Sequence, residues 1–366
     1  MQYHEINAIR PAFTALLLVL GLMCLPAANA DAPRTGEFTT SFTEITPLAE
    51  AREVAQRLLH RIVYDQQLVQ GTLPSGQTIV PADETWKVYV PESYTGSEPY
   101  GVFVWVSPSD DGGADYGWEH LLRDHKLIYV GANKSGNDQG VMNRRVPLAL
   151  TGLVGIMATY KVDSARVYIG GFSGGGVTAS RIAAAYSDIF TGALFVSTSE
   201  GIGSSDTPVP PAERYALMQS RGRYVFTNGT EETTNQVMNA RSVDEYKSLC
   251  VLRVEYIHIP DATHANLEPR MFARALKYLD SPPSVDPSDQ ADCETKLQAR
   301  RATAIASVKQ ALADGDKSKA HDRLLDLHEA FGPLAEPEIS QLAGCLNGST
   351  VSADCLPVLK PPNGGA

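Results

Sequence analysis

The sequence predicts an α/β fold, a mostly parallel sheet with helices on both faces, followed by a small C-terminal helical extension. Three observations carry this. Short runs rich in β-branched and aromatic residues recur from residue 85, and stretches of helical periodicity separate them. A proline-rich break after residue 280 then ends the alternation.

The strands are read in order as Thr85 to Val90, closed by Pro91, then Gly101 to Val106, Leu127 to Val130, Arg166 to Gly170, Ala193 to Val196, Tyr224 to Phe226 and Leu252 to Ile257. The run Gly101-Val102-Phe103-Val104-Trp105-Val106 is apolar without alternation, as expected of a strand covered on both faces. Helical periodicity falls over 145–160, 176–187, 235–249 and 269–280. Residues 31–280 therefore read as one α/β domain, 281–290 as a linker and 291–366 as a cysteine-containing extension. In the extension Ile305, Val308 and Leu312 share one helical face, and Ala320, Leu324, Leu327 and Phe331 share another. Asp314-Gly315-Asp316 lies between them, which predicts a helical hairpin. Such an extension is either a packed cap or a gate or partner surface.

Residues 1–30 stand apart. An apolar run from Ala12 to Leu25 follows Arg10 and ends in Pro26-Ala27-Ala28-Asn29-Ala30, the pattern of a signal peptide cleaved after Ala30, with an uncleaved anchor as the alternative. The expected destination is periplasmic or extracellular, with no stable membrane insertion after cleavage. Four cysteines follow: Cys250, Cys293, Cys345 and Cys355. In an oxidising compartment they suggest two disulfides among three possible pairings, with free buried thiols as the alternative. A local Cys345–Cys355 loop would leave Cys250 with Cys293. The net charge of −11 disfavours nucleic acid as a partner.

The chemistry centres on Gly171-Phe172-Ser173-Gly174-Gly175, a G-x-S-x-G sequence set directly after one predicted strand and before one predicted helix. A reversal this tight strains the serine backbone, needs small neighbours, and lifts the hydroxyl clear of the sheet. The Gly174 N–H is then a candidate donor to an oxyanion. A serine hydroxyl needs a base to take its proton. His264, in the loop before the last helix of the domain, stands at the sheet edge that presents Ser173, whereas His258 falls within the last strand and is expected to pack there. The acid is sought after the strand Tyr224 to Phe226, where Glu231 and Glu232 occur. Glu232 is the first choice and Glu231 the alternative acid; Asp261 is a weaker competitor. The second oxyanion donor is sought after Val106, where Pro108 has no N–H. This leaves Ser109 first and Asp110 next. The Asp110-Asp111 pair has no companion ligands nearby and reads as loop polarity. Trp118 and Tyr116 either line a pocket or pack in the core.

Asp163-Ser164-Ala165-Arg166-Val167-Tyr168, followed by the Gly171 to Gly176 elbow, resembles the nucleophile region of secreted α/β-hydrolase esterases of the polyhydroxybutyrate-depolymerase-like and feruloyl-esterase-like group. Residues 85–280 share the resemblance, and the tail does not. It implies the α/β-hydrolase fold and a serine esterase with Ser173, Glu232 and His264 as its catalytic triad. Two departures stand out: Ser107-Pro108-Ser109 replaces a His-Gly pair, and a glutamate stands where aspartate is usual. The expected function is cleavage of a small-molecule or polymeric carboxylic ester, with no metal and no organic cofactor. The alternatives are a peptidase or amidase on the same fold, or a non-catalytic binding protein that kept it.

Overall fold

A computed structural model describes residues 33–204 and 206–347. The expected signal peptide and Cys355 lie outside the described residues. Eight strands form one sheet: β1 (Gly36–Thr40), β2 (Trp86–Val90), β3 (Tyr100–Val106), β4 (Leu127–Ala132), β5 (Val162–Phe172), β6 (Gly192–Val196), β7 (Arg223–Gly229) and β8 (Val254–Ile259). Their order is β1-β2-β4-β3-β5-β6-β7-β8. β1 pairs antiparallel with β2 and β2 with β4, while every pairing from β4 through β8 is parallel. This order and direction define the α/β-hydrolase fold.

The helices of the hydrolase domain are α1 (Ala51–Leu58), α2 (Arg61–Gln70), α3 (Trp118–Asp124), α4 (Val146–Thr159), α5 (Gly174–Ala185), α6 (Ala212–Arg221), α7 (Thr233–Ser248) and α8 (Pro269–Asp280). They cover both faces because the central strands are apolar on both. Val102, Val104 and Val106 of β3 pack into a core with Val54, Leu150, Ile182, Met218 and Val243 from α1, α4, α5, α6 and α7. Phe103 and Trp105 of the same strand turn to the opposite core, with Trp118 and Leu122 of α3 and Phe272 and Leu276 of α8. The alternation along one strand thus assigns the helices to their layers.

The extension comprises α9 (Pro287–Ala313), α10 (Lys317–Phe331) and α11 (Glu338–Asn347). Val308, Leu312, Ala320, Leu324, Leu327 and Phe331 form its core, joined by Ile339 and Leu342 of α11. Gly315 turns the α9–α10 hairpin with φ 73°. Two boundaries differ from the sequence reading. The linker is shorter than 281–290, because Asp286 accepts the Ser288 N–H and Pro287 occupies the first helical turn, so α9 starts inside the predicted linker. A third helix, α11, also adds to the predicted hairpin. Cys250, just beyond α7, is bonded to Cys293 on α9, which ties the extension to the hydrolase domain. No helix among the described residues is long and apolar enough to cross a membrane.

Candidate active site

Three loops at the carboxyl edge of the sheet build the site. β5 ends at Phe172 and α5 begins at Gly174, so Ser173 alone makes the reversal, at φ 55° and ψ −128°. That conformation is sparsely populated for a residue with a side chain, and the surroundings must hold it. A Cβ on Gly171 would stand 2.3 Å from the Gly175 carbonyl, and one on Gly175 would stand 1.9 Å from the Val106 carbonyl oxygen. Only glycine lets these backbones approach. The Ser173 N–H donates to the Val196 carbonyl at 3.0 Å, and Thr198 Oγ1 donates to the Ser173 carbonyl at 2.5 Å.

His264 arrives from the loop between β8 and α8. Its Nε2 lies 2.9 Å from Ser173 Oγ and its Nδ1 lies 2.6 Å from Glu232 Oε1. The carboxylate cannot donate, so the consistent tautomer carries its proton on Nδ1 and accepts from the serine on Nε2. Glu232 stands at the N-cap position of α7, just after β7, with its side chain turned away from the helix end and almost fully buried, while the imidazole is 44% exposed. Each carboxylate oxygen is crowded with donors. Oε1 accepts from His264 and from Asn235 Nδ2 at 3.2 Å. Oε2 accepts from the Gly229 N–H at 2.8 Å, Ser197 Oγ at 3.2 Å and Asn228 Nδ2 at 3.4 Å. Burial alone would raise the carboxyl, but the Gly229 N–H, His264, Asn235 and Ser197 outweigh it and hold Glu232 below its ordinary value.

The structure brings Ser173, His264 and Glu232 into one hydrogen-bonded line. It does not bring in the other acids: Glu231 is exposed beside its buried neighbour, and Asp261 spends its N–H on Thr230 Oγ1 without touching the ring. His258 is a correction. It belongs to β8 as read, but β8 is the edge strand and the side chain is exposed, lying against the Tyr256 ring rather than packed in the core. Trp118 is core, stacked 3.8 Å from Phe272 with its indole N–H on the Leu267 carbonyl; Tyr116 is fully exposed.

On the oxyanion side the Gly174 N–H, first in α5, donates to no group among the described residues. The Ser109 N–H, the expected second donor, donates to Ser107 Oγ at 3.1 Å. Three features here were not read from the sequence. Ser197, at φ 67°, and Asn235 both hold the acid, and only Asn235, three residues after Glu232 at the start of α7, could have been inferred as its neighbour. Arg145 is the third. It closes a π-helical turn (Val141–Arg145), a local geometry frequent at functional sites.

No protein-family model matches the chain, and no curated protein matches it. Among solved structures, it is similar to the S-formylglutathione hydrolase of Staphylococcus aureus at 14% identity, covering 56% of this chain and 96% of that one, with a TM-score of 0.43. A ferulic acid esterase matches at 15% identity over 53% of this chain and 89% of its own, TM-score 0.39. The acetyl xylan esterase of Aspergillus awamori matches at 14% identity over 54% and 95%, TM-score 0.40.

Proposed function

We propose that this chain is a serine hydrolase that cleaves carboxylic esters through an acyl-enzyme on Ser173. The observation that carries the reading is the unbroken line from Ser173 Oγ through His264 to Glu232, at 2.9 and 2.6 Å, on a strained reversal between strand and helix. Ser173 Oγ attacks the ester carbonyl carbon and its proton passes to His264 Nε2. The carbonyl π electrons move onto oxygen, where the Gly174 N–H meets the charge. Collapse expels the alcohol, which takes the proton from His264. Water then attacks the acyl carbonyl with the same imidazole as base. The second collapse releases the carboxylic acid and returns a proton to Ser173. Glu232 remains ionised throughout, fixing the tautomer and offsetting the imidazolium charge.

The Cys250–Cys293 cystine supports an oxidising destination for the mature chain, in keeping with the expected leader. The test is turnover of p-nitrophenyl butyrate by Ser173→Ala against the parent. The reading predicts a loss on the order of 10⁶ in kcat, and full activity in the variant would contradict it.

A further inference from the structure

The oxyanion of an acyl-transfer intermediate needs more than one donor, and the backbone position first expected to supply the second is engaged: the Ser109 N–H is held by Ser107 Oγ. The loop that follows β4 lies over this gap. Asn133 Oδ1 accepts the Gly112 N–H at 3.0 Å, the Lys134 N–H donates to the Asp110 carbonyl at 2.8 Å, and the Asn137 N–H donates to the Pro108 carbonyl at 3.0 Å. These bonds place the Asn137 side chain against the elbow. Its Oδ1 lies 2.2 Å, and its Nδ2 3.1 Å, from the point where a Gly174 Cβ would stand. The residue after the nucleophile lacks a side chain, and the Asn137 carboxamide fills that space.

Nothing else among the described residues engages this amide. Neither Oδ1 nor Nδ2 has a hydrogen-bond partner among the described residues, while Asn137 itself is exposed at the mouth of the site. Below it, the buried Arg145 guanidinium fixes the three segments that meet here. Nε donates to the Ser135 carbonyl at 2.9 Å, Nη1 to the Gly174 carbonyl at 3.1 Å and Nη2 to the Ser107 carbonyl at 2.9 Å. No carboxylate pairs with it among the described residues, so its charge is left facing backbone oxygens next to the elbow. Burial lowers Arg145 to about 10, which still leaves it a cation near neutral pH.

Resting on the Ser173 reading, we infer that Asn137 Nδ2 is the second oxyanion donor, working beside the Gly174 N–H in place of Ser109. With no neighbour to fix it, the amide turns its NH₂ toward the developing charge when substrate is bound. Because the charge exists only in the tetrahedral state, the contact acts on kcat more than on KM.

The experiment is steady-state hydrolysis of p-nitrophenyl butyrate by Asn137→Ala, Asn137→Asp and Ser173→Ala, with a thermal melt of each. Asn137→Ala should lose about 10²-fold in kcat, with KM within about twofold and an unchanged melting temperature. Asn137→Asp keeps the shape but offers a charge of the wrong sign, so it should lose at least as much. It decides the matter if the alanine variant fails to fold. Should either folded variant keep kcat within about threefold of the parent while Ser173→Ala is silent, the second donor returns to the backbone of residues 107–110 and the inference is overturned alone. Activity persisting in Ser173→Ala would overturn the underlying reading instead.

Discussion

Two carboxylate–imidazole pairs stand at opposite ends of the sheet, and only one of them faces a nucleophile. At the carboxyl edge Glu232 holds His264, whose far nitrogen meets Ser173. At the amino edge Asp280, the last residue of α8, meets His125 Nδ1 at 2.5 Å. There the same carboxylate also takes Arg166 at 2.9 Å and Tyr168 Oη at 2.9 Å, both from the middle of β5. Burial would raise Asp280, but His125, Arg166 and Tyr168 together hold it below the ordinary range. No hydroxyl or thiol nucleophile bonds the His125 ring among the described residues. The cluster at the amino edge staples the end of α8 to the end of α3 through His125 and to β5 through Arg166 and Tyr168, whereas the pair at the carboxyl edge ends on a serine hydroxyl. A carboxylate beside an imidazole is thus common to both ends, and the strained serine next to one of them is what distinguishes it.

This contrast can be broken at either end. The largest effect is expected from Glu232→Gln, which keeps the shape but removes the charge that sets the tautomer; kcat on p-nitrophenyl butyrate should fall about 10⁴-fold. Glu231→Gln should stay within about twofold. A larger loss in the second variant would move the acid.

At the other end Asp280→Asn should leave turnover per folded molecule within about twofold but destabilise the protein. Arg166 and His125 would lose the one carboxylate they pair with among the described residues while remaining half-buried. Removing one partner of a buried pair costs 3–5 kcal/mol, and partial exposure sets the expectation at about 3 kcal/mol, read by urea unfolding. Unchanged stability with reduced turnover would make the staple part of the site.

A third imidazole pair sharpens the comparison by having no carboxylate. His328 of α10 and His60, just before α2, are buried with Nδ1 and Nε2 2.9 Å apart. Burial, then the neighbouring His60, pushes His328 down to about 4. The unfolded chain takes up this proton near pH 6.5 while the folded pair refuses it until about pH 4, so stability is lost as pH falls through that window. The loss from His328 is on the order of 3 kcal/mol. A melting temperature that declines from pH 6.5 to 4 in the parent and declines less in His328→Leu is the expected result. Parallel curves would remove the pair from the acid response.

The sequence carried the parts of this site that are local. G-x-S-x-G at a strand–helix junction, a histidine before the last helix and a glutamate after the seventh strand each announce themselves over a few residues. The strands of the parallel sheet were legible because covering both faces demands continuous apolar runs such as Gly101 to Val106. The edge was not: β1 alternates and is half exposed, so it carries no such run. Nor were the contacts that run through backbone carbonyls. Arg145 bonds Ser135, Gly174 and Ser107 through their oxygens, which any residue would supply. The Ser109 N–H bonds a hydroxyl two residues back, a local competition that the chain's order of residues does not announce.

The most direct test of the whole account is the site of covalent capture by an alkyl fluorophosphonate, read by mass spectrometry of the intact protein and its peptides. The account predicts one adduct, on the peptide bearing Ser173, formed rapidly in the parent, slowly in His264→Ala and not at all in Ser173→Ala. An adduct on another residue, or undiminished labelling of Ser173→Ala, would contradict it.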